Sequence, residues 1–212
     1  MLKEKEIERL NTLYAYEREL YAQGMCAVAG LDEVGRGPVA GPVSVGACIL
    51  PDQPLVEFLN DSKKVTEKRR EKVAAELKTL GVPYAVEHVS PEEIDRIGIV
   101  VALQTAMRRA VAALSVKPDA VLLDGNPLNL GVHEISIVKG DAKIACISAA
   151  SILAKVERDA LMRNYDEKYP QYGFASNKGY ASAAHIEAIK EHGLCPIHRV
   201  SFCQNFLNER LF

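Results

Sequence analysis

No apolar run in this chain approaches the roughly eighteen residues that a membrane-spanning helix needs, which excludes an α-helical membrane protein. The opening residues, Met1-Leu2-Lys3-Glu4-Lys5-Glu6, are charged and lack the apolar core of a secretory signal. Cysteine is sparse, with five residues at positions 26, 48, 146, 195 and 203 and no C-x-x-C spacing. That pattern excludes a zinc knuckle and a disulfide framework, and it predicts buried free thiols in a reducing cytoplasm. An excess of positive charge is missing too: 26 Lys and Arg against 28 Asp and Glu leave a formal net charge of −2. A protein that coats nucleic acid non-specifically needs the opposite balance. A nucleic-acid enzyme does not, because an acidic metal site offsets a local basic face. Internal repeats and low-complexity linkers are absent, and 212 residues suit one domain with a small appendage.

What is present concentrates in Gly30-Leu31-Asp32-Glu33-Val34-Gly35-Arg36-Gly37-Pro38. Cys26-Ala27-Val28-Ala29 before it and Val43-Ser44-Val45-Gly46-Ala47-Cys48-Ile49-Leu50 after it are short apolar runs divided by a Gly/Pro-rich turn. They read as neighbouring strands of a buried sheet. Adjacent carboxylates at the end of such a strand are costly to desolvate without a compensating cation, and a hydrated divalent metal is the usual one. The glycines that follow allow backbone N–H groups to approach a ligand closely.

Along the rest of the chain, residues 2–21 carry leucines and tyrosines at helical spacing and predict one amphipathic helix. Thr66 is expected to cap a helix running to Leu80. Tyr84–Val89 alternates like a strand, Ser90-Pro91-Glu92-Glu93 has the form of a capping box, and Ile99–Leu114 continues as a helix. Ala120–Asp124 and His133–Val138 read as further strands, and Ile147–Tyr165 and Ala181–Glu191 as helices, the last closed by Gly193. This order predicts an α/β fold: a mixed sheet with helices on both faces and a helical extension from about residue 170. Residues 61–72 hold six basic residues (Lys63, Lys64, Lys68, Arg69, Arg70, Lys72) against three acids. They fit a solvated helix face and a phosphate contact equally well.

Asp32, Glu33, Asp124 and Asp141 all fall at predicted strand ends or just beyond them, where side chains of α/β sheets converge on a common crevice. Oxygen-only ligands suit Mg²⁺ or Mn²⁺ and not zinc, and shared carboxylates are what a two-metal phosphoryl-transfer site requires. Taken singly, Asp124 and Asp141 also fit surface turns. Consecutive strand residues point to opposite faces, so Asp32 and Glu33 need a bulge, the longer reach of Glu, or a backbone carbonyl to serve one metal. His185 and His198 fit catalytic histidines, and hydrogen-bonded structural residues better. Lys155 fits both a phosphate contact and a side chain snorkelling to solvent. Ser148 and Ser151 fit close helix packing.

In order along the chain, Gly30–Pro38, Asn60-Asp61-Ser62-Lys63-Lys64, Leu123-Asp124-Gly125, Lys139-Gly140-Asp141, Ser148–Val156, Tyr172-Gly173-Phe174, Lys178-Gly179-Tyr180, His185 and Cys195-Pro196-Ile197-His198-Arg199 resemble type 2 ribonuclease H, specifically the bacterial ribonuclease HII family. The resemblance implies an RNase H-like mixed sheet flanked by helices, divided as an N-terminal helix (1–25), a catalytic domain (26–168) and a C-terminal helical extension (169–212). It implies that Asp32, Glu33, Asp124 and Asp141 bind Mg²⁺ or Mn²⁺. It gives Gly35, Arg36 and Gly37 to recognition of the ribose 2′-OH, Tyr180 to stacking on the following sugar, and Lys63 and Lys64 to the nucleic-acid backbone. The implied activity is endonucleolytic cleavage of RNA–DNA hybrids and of duplex DNA carrying ribonucleotides, leaving a 3′-OH and a 5′-phosphate; apart from the resemblance, a cytoplasmic monomer is expected, though the sequence leaves the oligomeric state open. Ala181-Ser182 and Gly98-Ile99 depart from the family's usual Gly-Thr and Asn, and altered local packing is expected there. Ribonuclease HIII shares much of the signature but carries a sizeable extra N-terminal domain, for which about 25 residues leave no room. A non-catalytic hybrid-binding module is disfavoured because all four acids are present. The tail Gln204–Phe212 loosely resembles a sliding-clamp peptide, but its spacing is imperfect and a terminal helix packed on the body fits it better.

Overall fold

The computed structural model describes residues 2–208, with side chains to residue 205. Five strands form one sheet in the order β3-β2-β1-β4-β5: β1 (Val28–Val34), β2 (Val43–Ile49), β3 (Tyr84–Val89), β4 (Ala120–Asp124) and β5 (Glu134–Ile137). The first three run antiparallel, while β4 pairs parallel to β1 and β5 parallel to β4. The sheet is therefore mixed, as predicted, and it is buried on both faces.

One face is covered by α1 (Glu4–Leu13), α2 (Ala15–Ala22), α3 (Glu67–Thr79) and α6 (Ala145–Lys168). The other is covered by α4 (Pro91–Ile97) and α5 (Ile99–Ala113), whose Ala102, Leu103, Ala106 and Met107 pack on Leu31, Val45 and Leu123. The first half of α6, from Ala145 to Ala154, is entirely buried. It can lie that close because a Cβ at Gly30 would stand 2.2 Å from the Cys146 carbonyl carbon, and one at Gly46 2.2 Å from the Ala150 oxygen. Past α6 come α7 (Phe174–Asn177), α8 (Ala183–His192) and α9 (Val200–Asn208). Around Tyr172 and Phe174 they build a third apolar cluster that reaches Val39 and Ala40.

Several local expectations change. The single helix over residues 2–21 is two, divided at Tyr14, whose ring is buried; the division turns Leu10 and Leu13 as well as Leu20 into the core. Thr66 occupies the N-cap position of α3 without a side-chain cap bond, whereas Ser90 Oγ accepts the Glu93 amide of α4. The Glu93 carboxylate pairs with Arg109 and does not close the reciprocal half of the box. Cys48, Cys146 and Cys203 are buried thiols as expected, but Cys26 is exposed and Cys195 half-buried, because both lie in loops. The departures from the family pattern are absorbed locally: Gly98 takes a φ of 78° at the break between α4 and α5, and Ser182 caps α8 by accepting the His185 amide. No helix among the described residues is long and apolar enough to cross a membrane. The tail expectation lies outside the described residues from Glu209 on; α9 covers the backbone before it.

Candidate active site

The parallel register of β1 and β4 sets Leu31 against Leu123, so the next residues, Asp32 and Asp124, emerge side by side. The antiparallel ladder between β1 and β2 is continuous from Ala29 to Val34, with no bulge. Asp32 therefore points to the α6 face and is buried, while Glu33 on the opposite face lies at the strand end within 3.8 Å of Arg36. Among the ways of bringing the two acids together, the bulge is absent. Both line one cavity instead, which opens past the end of the sheet. Asp124 Oδ1 accepts the Gly140 amide at 2.7 Å, which ties the following 3₁₀ turn, Gly140–Ala142, against β4 and brings in Asp141.

These acids repel one another. Burial, and then the charges of Glu33, Asp124 and Asp141, push the Asp32 carboxyl well above its usual range, against a hydrogen bond from Ser151. Burial and Asp124 also raise Glu33, opposed by Arg36 and Lys63. Burial, Asp124 and Asp61 raise Asp141. The four predicted carboxylates are thus electrostatically one group. Among the described residues no three potential ligands stand in ready-made coordination geometry: Asp32 and Glu33 line the cavity, while Asp124 and Asp141 stand beside them outside its lining. Oxygen-only donors that destabilise each other when charged fit a hard divalent cation, with side-chain adjustment on binding.

The cavity, about 480 Å³, is lined by Asp32, Glu33, Gly35, Arg36, Gly37, Lys63, Lys155 and Tyr180 among others. Gly35 has a φ of +87°, and a Cβ there would stand 2.1 Å from Arg158 Nε. Arg158 and Arg199 are fully buried and direct donors to backbone carbonyls. Arg199 Nη2 donates to Gly35 O at 2.6 Å, Nη1 to Arg36 O at 3.0 Å, and Nε to Gly41 O at 2.9 Å. Arg158 donates to Pro42 O at 2.9 Å and to Lys178 O at 3.0 Å, two residues before Tyr180. The glycine loop and the Tyr180 segment, 140-odd positions apart in sequence, are held in one frame by these two side chains.

Lys63 stands in this cavity, but Lys64 does not: it lines a separate polar cleft with Arg9, Asn60 and Arg69. Lys155 lines the cavity but does not snorkel to solvent: its Nζ donates to Oδ1 of the buried Asp159 at 2.7 Å. Ser151 Oγ, which bonds Asp32, also lies 2.9 Å from Ser62 Oγ, and Ser148 Oγ donates to the Asp141 carbonyl at 2.6 Å, so the small helix residues also brace the acids. Sequence reasoning passed over Asp61, a fifth acid that hydrogen-bonds Asp141 and accepts the Lys63 amide. It also passed over Arg158 and Arg199. Arg158 was findable in principle, lying four and seven residues after Ala154 and Ser151 on the helix face that packs inward.

The model of the ribonuclease HII family matches residues 29–205. The ribonuclease HII of Acetivibrio thermocellus is 48% identical over 205 residues, covering 96% of this chain and 80% of that protein. That of Moorella thermoacetica is 49% identical over 198 residues, covering 93% and 96%. Ribonuclease H2 from Pyrococcus horikoshii superposes with a TM-score of 0.74 at 29% identity, over 87% of this chain and 98% of that one. The ribonuclease HII of a PCNA complex from Archaeoglobus fulgidus does so at 0.72 and 28%, over 84% and 96%. Bst-RNase HIII with Mn²⁺ shares the fold, at a TM-score of 0.68 and 18% identity over 95% of this chain and 72% of that one. With its mixed sheet, its acids converging at the strand ends and this likeness over nearly its whole length, the chain belongs to the ribonuclease HII family and is a nuclease of the ribonuclease H type.

Proposed function

We propose that this chain incises duplex DNA 5′ of embedded ribonucleotides and cuts the RNA strand of RNA–DNA hybrids, leaving 3′-OH and 5′-phosphate ends. The observation that carries the proposal is the sharing of one cavity by Asp32 and Glu33 with Gly35, Arg36, Gly37 and Tyr180. Asp32, Glu33, Asp124 and Asp141 would hold a pair of Mg²⁺ or Mn²⁺ ions. Such ions, when bound, lower the pKa of an attacking water and offset charge on the departing oxygen. Gly35, Arg36 and Gly37 offer backbone groups to a 2′-OH, a contact that reads the sugar without reading a base. The half-exposed ring of Tyr180 offers a flat face to the next sugar, and Lys63 a cation to a phosphate. Lys64, in its separate cleft, would meet the backbone farther from the cut.

The proposal divides labour along the chain. Residues 26–168 carry the acids, 169–212 carry Tyr180, and 1–25 supply α1 and α2, whose Leu10, Leu13 and Leu20 pack with α6. Binding to a sliding clamp through the tail remains a proposal as well, supported by the Archaeoglobus relative's complex with PCNA. A labelled tail peptide that fails to bind a clamp at high micromolar concentration overturns it.

The decisive assay uses a DNA duplex carrying one ribonucleotide, purified protein, and Mg²⁺ or Mn²⁺. Incision on the 5′ side is expected, and its loss in Asp32→Asn. No incision by the wild type, or undiminished incision by the variant, overturns the proposal.

A further inference from the structure

Behind Tyr180 lie two fully enclosed imidazoles, His185 at 0% exposure and His198 at 3%. Their Nε2 atoms are 3.0 Å apart. Tyr172 meets both rings edge-on and Phe174 closes a further side, while Cys195 flanks His198. Burial lowers the pKa of each, so both are neutral.

The protons of this pair follow from its ends. His185 Nδ1 faces the Tyr180 carbonyl at 2.8 Å, and a carbonyl only accepts, so Nδ1 carries the proton and Nε2 is bare. His198 Nε2 must then carry a proton to donate across the 3.0 Å gap. That leaves His198 Nδ1 bare, and it does accept the Cys195 amide at 2.9 Å. The longer 3.3 Å approach of that atom to the Cys195 carbonyl is not a hydrogen bond in this arrangement, since neither the bare nitrogen nor the carbonyl oxygen has a proton to give. The chain of donors therefore runs one way, from Cys195 through His198 and His185 to Tyr180, with opposite tautomers on the two rings.

Each end of the chain is anchored to one half of the proposed sugar-reading surface. His198 pairs with Ala40 in an antiparallel bridge, and the Gly41 amide donates to Ile197 O at 2.8 Å. Its neighbour Arg199 holds Gly35 and Arg36 by their carbonyls. At the other end, the Gly179 carbonyl accepts the Val39 and Ala40 amides, which places the Tyr180 segment. The Tyr180 carbonyl accepts from His185 and from the Ser182 amide, which sets the rotation of the peptide from which the ring projects.

We propose that the His185–His198 pair is a positioning strut that sets the Tyr180 ring relative to the Gly35–Gly37 loop, and so tunes selectivity for an isolated ribonucleotide over a continuous RNA strand. The proposal rests on the substrate reading given above. A junction substrate needs loop and ring in register at adjacent sugars, whereas a continuous RNA strand offers the loop a 2′-OH at every step. Neither imidazole touches the cavity; both act through Tyr180.

The test compares His198→Met, which removes the donor, with His198→Gln, whose side-chain amide can restore it near the Nε2 position. For each, kcat/KM is measured on a DNA duplex with one ribonucleotide and on an all-RNA hybrid, with thermal melts to establish folding. The ratio of the two values is expected to fall roughly tenfold in His198→Met and to recover in His198→Gln. A purely structural role lowers both substrates alike and leaves the ratio unchanged, which overturns the strut. If the wild type cuts neither substrate, the functional reading itself fails, a distinguishable result. Should His198→Met not fold, long-range ¹H–¹⁵N correlation on the wild type still tests the pair: opposite tautomers are expected, and identical tautomers overturn it.

Discussion

Asp32 is a buried carboxylate whose neighbours raise the cost of its charge, and that tension makes it useful. Burial and three nearby acids disfavour the ionised form in the protein alone, and a divalent cation reverses the balance. Asp32→Asn is expected to lower cleavage at least a hundredfold while raising the metal-free unfolding free energy by about 1 kcal/mol. Chemical denaturation in EDTA checks the second half; a destabilised variant contradicts it. His198 follows the opposite logic. Burial pulls its pKa from 6.5 down to about 4, so between those values the unfolded chain takes up a proton that the folded protein refuses. Its stabilising share is complete above pH 6.5 and is lost as the pH falls, by about 2 kcal/mol at pH 5. Urea midpoints of wild type and His198→Gln at pH 7 and pH 5 measure this, with the gap between them expected to narrow in acid.

At the scale of elements, the contact of α6 with the β1–β2 backbone holds the site together, because Ser148, Ser151 and Arg158 all reach it from that helix. The contact depends on Gly30 and Gly46, where even a methyl group would stand 2.2 Å from helix backbone. Gly46→Ala is expected to destabilise by 3 kcal/mol or more, roughly the upper range for overpacking, and to weaken activity by displacing Ser151 from Asp32. A melt within a degree of the wild type would refute that. Strand and helix types were legible from periodicity, and most boundaries hold within three residues. The division of the first helix at Tyr14 was not, because its cause is the core that receives Leu10, Leu13 and Leu20, and periodicity sees only one helix face at a time.

For the whole molecule, metal and fold are linked. The acids come from β1, the end of β4 and the turn before α6, so an ion bound between them clamps segments that otherwise repel. Saturating Mn²⁺ or Mg²⁺, at a hundred times the dissociation constant, is expected to stabilise the protein by about 2.7 kcal/mol, and Asp32→Asn to abolish most of that gain. Thermal melts with and without the ion test it, and equal gains in both proteins would remove Asp32 from the ligand set.

The amino-acid sequence by itself determined the chemistry available: oxygen ligands without histidine or cysteine, glycines beside an acid pair, and the strands and helices that carry them. These are local properties, written in residue type and spacing. Tertiary structure alone decided which of them meet. It separated Lys63 from Lys64, brought Asp61 to Asp141, gave two buried arginines the task of holding the glycine loop, and ran a chain of imidazoles to Tyr180. Each of those contacts depends on the register of paired strands or on segments far apart in the chain, and neither leaves a mark in local periodicity.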